Sequence, residues 1–250
     1  MRYLLALTLA TLACPVLADD FSATEAKIKA ALKNDRRSEA ETIRDKNRKP
    51  VETLKFFGLR DDMTVLELLP GGGWYTNILG PVLEESGKLY ISIGASRTGE
   101  AIKGKPGFAS TEVIPFDRAN FTREEGARHT DIPEFSFDVR KVDMVLTFRN
   151  QHNFTAKGRA NMNSAVFKAL KRGGVFGVVD HTLRHMQPMT DELSRRIDPV
   201  DVIKEVQAAG FELVDYSRLH YRPDDELRYE VGRKTVTGNT DRFTLMFRKP

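Results

Sequence analysis

Apolar residues along this chain fall into short dense runs and longer periodic stretches, and the two kinds alternate. From Asp19 to Lys49 the segment is strongly charged. Ile28, Ala31 and Leu32 recur there at helical spacing before the pattern dissolves at Asp35-Arg36-Arg37, which predicts an amphipathic lead-in helix. Pro50 stands where a second helix can start, with Val51, Leu54, Phe56 and Phe57 as its buried stripe and Gly58 at its end. From Thr64 the period changes. Val65 to Leu69 is nearly all apolar and is bounded by Pro70-Gly71-Gly72-Gly73, the signature of a parallel strand buried on both faces. Trp74 to Leu83 follows as a helix. Further strands are expected at Lys88 to Ile93, Glu112 to Phe116, Val142 to Phe148 and Val175 to Asp180, the last two separated by a helix over Asn161 to Lys171. Asp198-Pro199 opens another helix through Ala209, and Gly210 ends it. Strands at Phe211 to Ser217 and Phe243 to Phe247 close the chain, with a polar stretch from Tyr221 to Thr240 between them.

This alternation specifies an α/β class, a doubly wound and mostly parallel sheet of seven strands. The last two strands lack a crossover helix, so they are expected to pair antiparallel at the sheet edge. The expected organisation is a leader over 1–18, a helical extension over 19–49 and one main domain over 50–250.

Composition narrows the function classes. Lys and Arg number 39 against 35 Asp and Glu, a formal charge of +4, too small a surplus to imply a nucleic-acid partner. Cys14 is the only cysteine, so a disulfide framework or cysteine-based zinc site is excluded. The first residues read as a targeting segment: Arg2, an apolar run from Tyr3 to Ala13, then the small-residue pattern Val16-Leu17-Ala18. A run of that length spans about 16 Å as a helix, short of the roughly 30 Å hydrocarbon layer. Cleavage after Ala18, no stable membrane span thereafter, and a periplasmic or secreted location are the expectations.

A strand ending in an acid and a Gly-rich turn (Val65-Leu66-Glu67-Leu68-Leu69-Pro70-Gly71-Gly72-Gly73), the strand Asp143 to Phe148, Leu170-Lys171-Arg172-Gly173-Gly174 and the closing antiparallel strand together resemble the class I S-adenosylmethionine-dependent methyltransferases. Within that family the chain is similar to predicted bacterial methyltransferases carrying export signals. The closer likeness rests on Arg44-Asp45, Arg48, Pro50 to Leu54, Pro70 to Thr76, Phe148 to Asn153, Val179-Asp180-His181 and Ile197-Asp198-Pro199, and it runs from about Arg44 to the end. The resemblance implies a Rossmann-like methyltransferase domain, S-adenosylmethionine as cofactor, and methyl transfer to a small-molecule acceptor. A catalytically inactive exported binding protein on the same fold is the competing reading. Oligomeric state is not legible.

The chemistry of the turn fits a ligand. Gly71, Gly72 and Gly73 permit positive φ and let the backbone approach a bound molecule without side-chain obstruction. A dinucleotide fingerprint would need glycine at 76, where Thr76 stands. By resemblance, Glu67 lies beneath the cofactor and contacts its amino-acid moiety, Asp117 receives the adenine amino group, the start of the segment Phe148 to Asn153 flanks the transferable methyl, and Asn150 within it is a cofactor-binding candidate. Asp117 also reads as a turn-initiating residue. Tyr75, with Trp74, either stacks on the ligand or packs the first helix on the sheet. The family has glycine two residues after the acid; Leu69 stands here, so the turn is expected to begin at Pro70 or Gly71. The family's acid at the end of strand two is missing from Lys88 to Ser96, leaving Ser92 or Ser96 as neutral acceptors.

His152 is a candidate proton acceptor from substrate, since a free imidazole titrates near 6.5. Asp180 and His181 are further catalytic candidates on the same rim, the aspartate able to hold a histidine tautomer. His129 with Asp131, and His152 with His181, lack local ligand spacing, so no metal site is expected. Arg195-Arg196 near Asp198 reads as the approach to a capped helix rather than an anion site.

Overall fold

The computed structural model describes residues 21–250; the expected leader, its cleavage site after Ala18 and Cys14 lie outside the described residues. Helices α1 (Ser22–Leu32), α2 (Glu39–Thr42), α3 (Asp45–Arg48) and α4 (Pro50–Phe56) precede the sheet. Ile28 and Ala31 are the buried side of α1, as their spacing requires, and they pack into the same core as Leu54 and Phe57. The sheet contains β1 (Thr64–Leu68), β2 (Lys88–Ser92), β3 (Thr111–Ile114), β4 (Val142–Phe148), β5 (Leu170–His181), β6 (Glu212–Ser217) and β7 (Arg242–Arg248). Its order is β3-β2-β1-β4-β5-β7-β6. The first five strands pair in parallel, and β7 lies antiparallel between β5 and β6. The expected doubly wound seven-stranded fold is the observed one.

Two cores explain why the central strands are dense in apolar residues. Leu66, Leu68 and Val145 face one cluster, which includes Met162 and Val166 of α7 (Ala156–Ala169) and Val206 of α8 (Pro199–Ala208). Val65, Met144 and Leu146 face the other, beneath α4 and α5 (Thr76–Leu83). Alternate side chains are thus both buried, and no exposed position is left to mark a face. Contact across the second core is close at Gly177, where an added Cβ would lie 2.7 Å from Leu146 and 2.9 Å from the Phe57 ring. Gly177→Ala is expected to lower unfolding free energy by about 1–3 kcal/mol, measured by urea titration, because overpacking displaces α4.

Several boundaries depart from expectation. Helix α6 (Ser96–Ile102) between β2 and β3 was not legible, since only Thr98, Gly99 and Ile102 are buried and no apolar stripe exists. Helix α7 starts five residues earlier than expected, where the Thr155 hydroxyl accepts the Gly158 N–H at 3.0 Å. Asp198 caps α8 as anticipated, accepting from Val200 N–H at 2.9 Å. Residues 218–241 form no regular element. They are fastened by Arg196, whose guanidinium donates to both oxygens of Asp225 at 2.9 and 3.0 Å. Among the described residues, no helix is long and apolar enough to cross a membrane.

Candidate active site

At the carboxyl end of β1 the chain turns sharply, and Leu69 itself adopts a left-handed backbone at φ +50°. The turn therefore begins at Leu69, not at Pro70 or Gly71 as expected. A leucine there costs about 1–2 kcal/mol. Neighbouring hydrogen bonds hold it: Leu69 N–H donates to Ser92 O at 2.9 Å, and Asn150 Nδ2 donates to Leu68 O at 3.3 Å. The turn closes with Gly73 N–H on Pro70 O at 2.9 Å, and Thr98 Oγ1 braces it by donating to Gly71 O at 2.8 Å.

The three glycines serve different ends. An added Cβ at Gly71 or Gly72 would meet nothing within 4 Å, so these two border open space. At Gly73 it would lie 3.0 Å from the Thr98 methyl, with φ at +79°. That glycine is required by packing. Beneath them Glu67 is 2 % exposed and accepts the Thr76 hydroxyl at 2.6 Å. Burial pushes its carboxyl up to about 7, against the opposing pull of Thr76 and the Arg48 guanidinium.

Two hollows share Leu69, Gly71 and Asn150, forming one trough over the strand tips. The first, about 160 Å³, is lined by Glu67, Gly72, Tyr75 and Arg48, with Glu41 arriving from α2. The second, about 480 Å³, lies over the end of β2 and is lined by Ile93, Gly94, Ser96 and Arg97. Of the two neutral acceptors, Ser96 reaches this hollow, whereas buried Ser92 donates to Ile114 O at 3.1 Å. Asp117 lines neither hollow. It is exposed and accepts Ala119 N–H at 2.8 Å, the turn-initiating role.

Tyr75 packs the first helix on the sheet and also lines the first hollow. Its ring stacks on Phe148 with centroids 3.5 Å apart and planes 10° from parallel, and its edge borders the first hollow. Trp74 is a packing residue: its Nε1 donates to Glu41 O at 2.9 Å, tying α2 to the turn.

Asp180 is fully buried at the end of β5. It accepts from His152 Nδ1 at 2.6 Å, from His152 N–H at 3.1 Å and from His181 N–H at 2.7 Å. The aspartate thus makes Nδ1 of His152 a donor and fixes the orientation of the ring. His152 faces a separate hollow of about 440 Å³ beside Phe154 and Arg159, away from the glycine turn. His181 is the histidine nearer the trough. Its Nδ1 pairs with Thr240 Oγ1 at 3.0 Å, and burial, reinforced by Arg242 and His152, pushes its basicity well below that of a free imidazole. It lines a fourth hollow of about 420 Å³, which joins the first through Arg44, Arg48 and Arg149.

The fold therefore gathers Glu67, Gly71, Gly72, Tyr75 and Asn150 around one trough, sets His181 beside it, and leaves Asp117 and His152 elsewhere. Arg44, Arg48 and Arg149 stand in the segments that carry the resemblance, with no role assigned to them there. Arg242 joins them because β7 lies next to β5, which no local pattern shows.

No family model matches the chain, and no curated protein sequence does. Solved structures do share its fold. An S-adenosylmethionine-dependent methyltransferase from Aquifex aeolicus superposes with TM-score 0.55 at 18% identity, covering 89% of this chain and 97% of that one. The [4+2]-cyclase SpnF matches with TM-score 0.56 at 11% identity, over 92% of this chain and 93% of that one. Human N-acetylserotonin methyltransferase, solved with S-adenosylmethionine, matches with TM-score 0.53 at 13% identity, over 92% of this chain and 57% of that one. The architecture is that of class I methyltransferases, and one protein built on it is described as a cyclase.

Proposed function

We propose that this chain binds S-adenosylmethionine along the trough and transfers its methyl group to a small-molecule acceptor. The observation that carries the reading is the open space over Gly71 and Gly72, directly above a buried acid, in a trough running from the tip of β1 to the tip of β2. Glu67 suits the cofactor's ammonium, Arg48 and Arg149 its carboxylate, and Ser96 a ribose hydroxyl. The cofactor supplies a sulfonium-activated methyl group. What the chain contributes is alignment and exclusion of water. Asn150, held by the carbonyl of Leu68 and by Thr147 Oγ1 at 3.1 Å, fixes the bend between the two hollows. His181, in the wall of the adjoining hollow and kept neutral by burial, is placed to orient the acceptor nucleophile by a hydrogen bond.

The end of β2 offers no carboxylate to the ribose, which removes a charge-assisted bond worth about 1.5–3 kcal/mol. That observation favours the second reading, a binding protein on this fold without turnover. Calorimetry separates the possibilities. S-adenosylhomocysteine is expected to bind the wild type, and Gly72→Val, whose side chain enters the open space, is expected to weaken it at least tenfold with the unfolding midpoint retained. Absence of binding by both S-adenosylmethionine and S-adenosylhomocysteine at millimolar concentration overturns the enzyme reading. Binding without turnover across broad acceptors supports the second.

Export is a further part of this proposal, supported by the Arg2 to Ala18 pattern. Fractionation of tagged protein tests it: an uncleaved chain found in the cytosol removes the export.

A further inference from the structure

We propose that the fourth hollow is an oxyanion-binding well that holds a carboxylate or phosphate group of the acceptor. The inference rests on the methyl-transfer reading, whose substrate class it names. Three arginines from distant parts of the chain converge there: Arg48 from α3, Arg149 just after β4, and Arg242 at the start of β7. Arg44 and Arg195 stand at its mouth, and His181 forms part of its wall. No aspartate or glutamate is among the lining residues.

The inner three cations lack the partners that buried charges normally have. Arg48 is 6 % exposed, and its guanidinium lies 4.3 Å over the Trp74 ring, with no carboxylate of the described residues in ion-pair range. Arg242 donates from Nη1 to Asn47 O at 3.2 Å, while its buried Nε meets no acceptor. Asp180 acts on Arg149 and Arg48 acts on Glu67 only through space, and both carboxylates are hydrogen-bonded elsewhere, with the two histidines and with Thr76. Burial and mutual repulsion weaken the hold of these arginines on their protons, down to about 8 at Arg48 and about 10 at Arg242. Uncompensated buried cations are costly, and an anion bound among them recovers that cost. Guanidinium forks also match carboxylate and phosphate oxygens in paired hydrogen bonds. A volume of about 420 Å³ falls in the range of small-molecule sites.

The location suits an acceptor. Arg44, Arg48 and Arg149 line both this well and the glycine hollow, so an anion anchored here lies next to the donor. Arg242 and Arg195 do not line the glycine hollow, and they distinguish the well from a seat for the cofactor's own carboxylate. Arg195 is ion-paired with Glu230 at the mouth, which keeps that cation at the entrance.

The test is calorimetry on the whole chain at fixed ionic strength with phenyl phosphate, benzoate and benzyl alcohol, and separately with S-adenosylhomocysteine. At least one anion is expected to bind, with benzyl alcohol at least tenfold weaker; the tighter anion tells a phosphate acceptor from a carboxylate one. Arg242→Met should weaken the anion at least tenfold and leave S-adenosylhomocysteine within twofold. Should Arg242→Met fail to fold, Arg195→Gln at the exposed mouth carries the test, because it removes a cation and frees Glu230 to repel the anion. The well is overturned by equal binding of benzyl alcohol, by no anion binding at millimolar concentration, or by anion affinity unchanged in the folded variants. Anion binding without S-adenosylhomocysteine binding would remove the methyl-transfer reading and leave the well; the reverse result removes the well alone.

Discussion

Asp225→Ala is expected to lower the unfolding free energy by about 3–5 kcal/mol, read from urea denaturation, because it strands a buried guanidinium. Arg196 and Asp225 each have side chains at 0 % exposure and meet through two parallel hydrogen bonds. Asp225 also accepts the backbone N–H groups of Leu227 at 3.0 Å and Asp241 at 2.6 Å, and Arg196 reaches the carbonyls of Tyr229 and Thr182. One ion pair therefore gathers the two ends of an otherwise irregular segment, and that segment supplies Val231, Gly232 and Thr240 to the arginine-lined hollow. The double variant Arg196→Met with Asp225→Leu should cost less than Asp225→Ala alone, since it leaves neither charge unpaired. If the single variant is as stable as the wild type, the pair does not fasten this segment.

The second large effect is a pH dependence centred on Glu67. Its carboxyl is raised from 4.5 to about 7, so the native state holds a proton that the unfolded chain has already released in that window. Stability contributed by this group is present in full below about 4.5 and is lost as pH rises through about 7, a loss of about 3 kcal/mol. His220 acts in the opposite direction. Burial pushes it down to about 4, so its contribution is present above 6.5 and is lost as pH falls toward 4. The two partly cancel in the wild type between 4.5 and 6.5. Glu67→Gln retains an acceptor for the Thr76 hydroxyl and separates them. Unfolding curves from pH 5 to 8 should show the variant gaining on the wild type by about 3 kcal/mol, and parallel curves would mean that Glu67 is ionised throughout. Because a cofactor ammonium favours the carboxylate, affinity of the wild type for S-adenosylhomocysteine should rise with pH up to about 7, a trend absent from the variant.

How far the sequence reached depended on whether the information was local. The strands Val65 to Leu69 and Val142 to Phe148 could be found from composition because burial on both faces makes them dense in apolar residues, with few polar ones to break the run. Helix α6 could not, since its buried side is made of Thr98, Gly99 and Ile102. The acid and glycines of the β1 turn form one contiguous motif, so their placement was accessible. Leu69 in a left-handed conformation was not, because it is the carbonyl of Ser92 and the amide of Asn150 that hold it there. His152 follows β4 and His181 ends β5, and the two line different hollows. Their opposite directions, set by the one aspartate between them, follow from backbone geometry at the end of β5.

Trp74 is the sole tryptophan in the chain, and it lies edge-to-face with Tyr75 and under the guanidinium of Arg48 where the trough begins. The molecule thus carries its own optical probe at the doorway of its proposed site. A ligand that draws Arg48 away from the indole alters the field on that single chromophore, and its arrival can be timed by fluorescence in unlabelled protein.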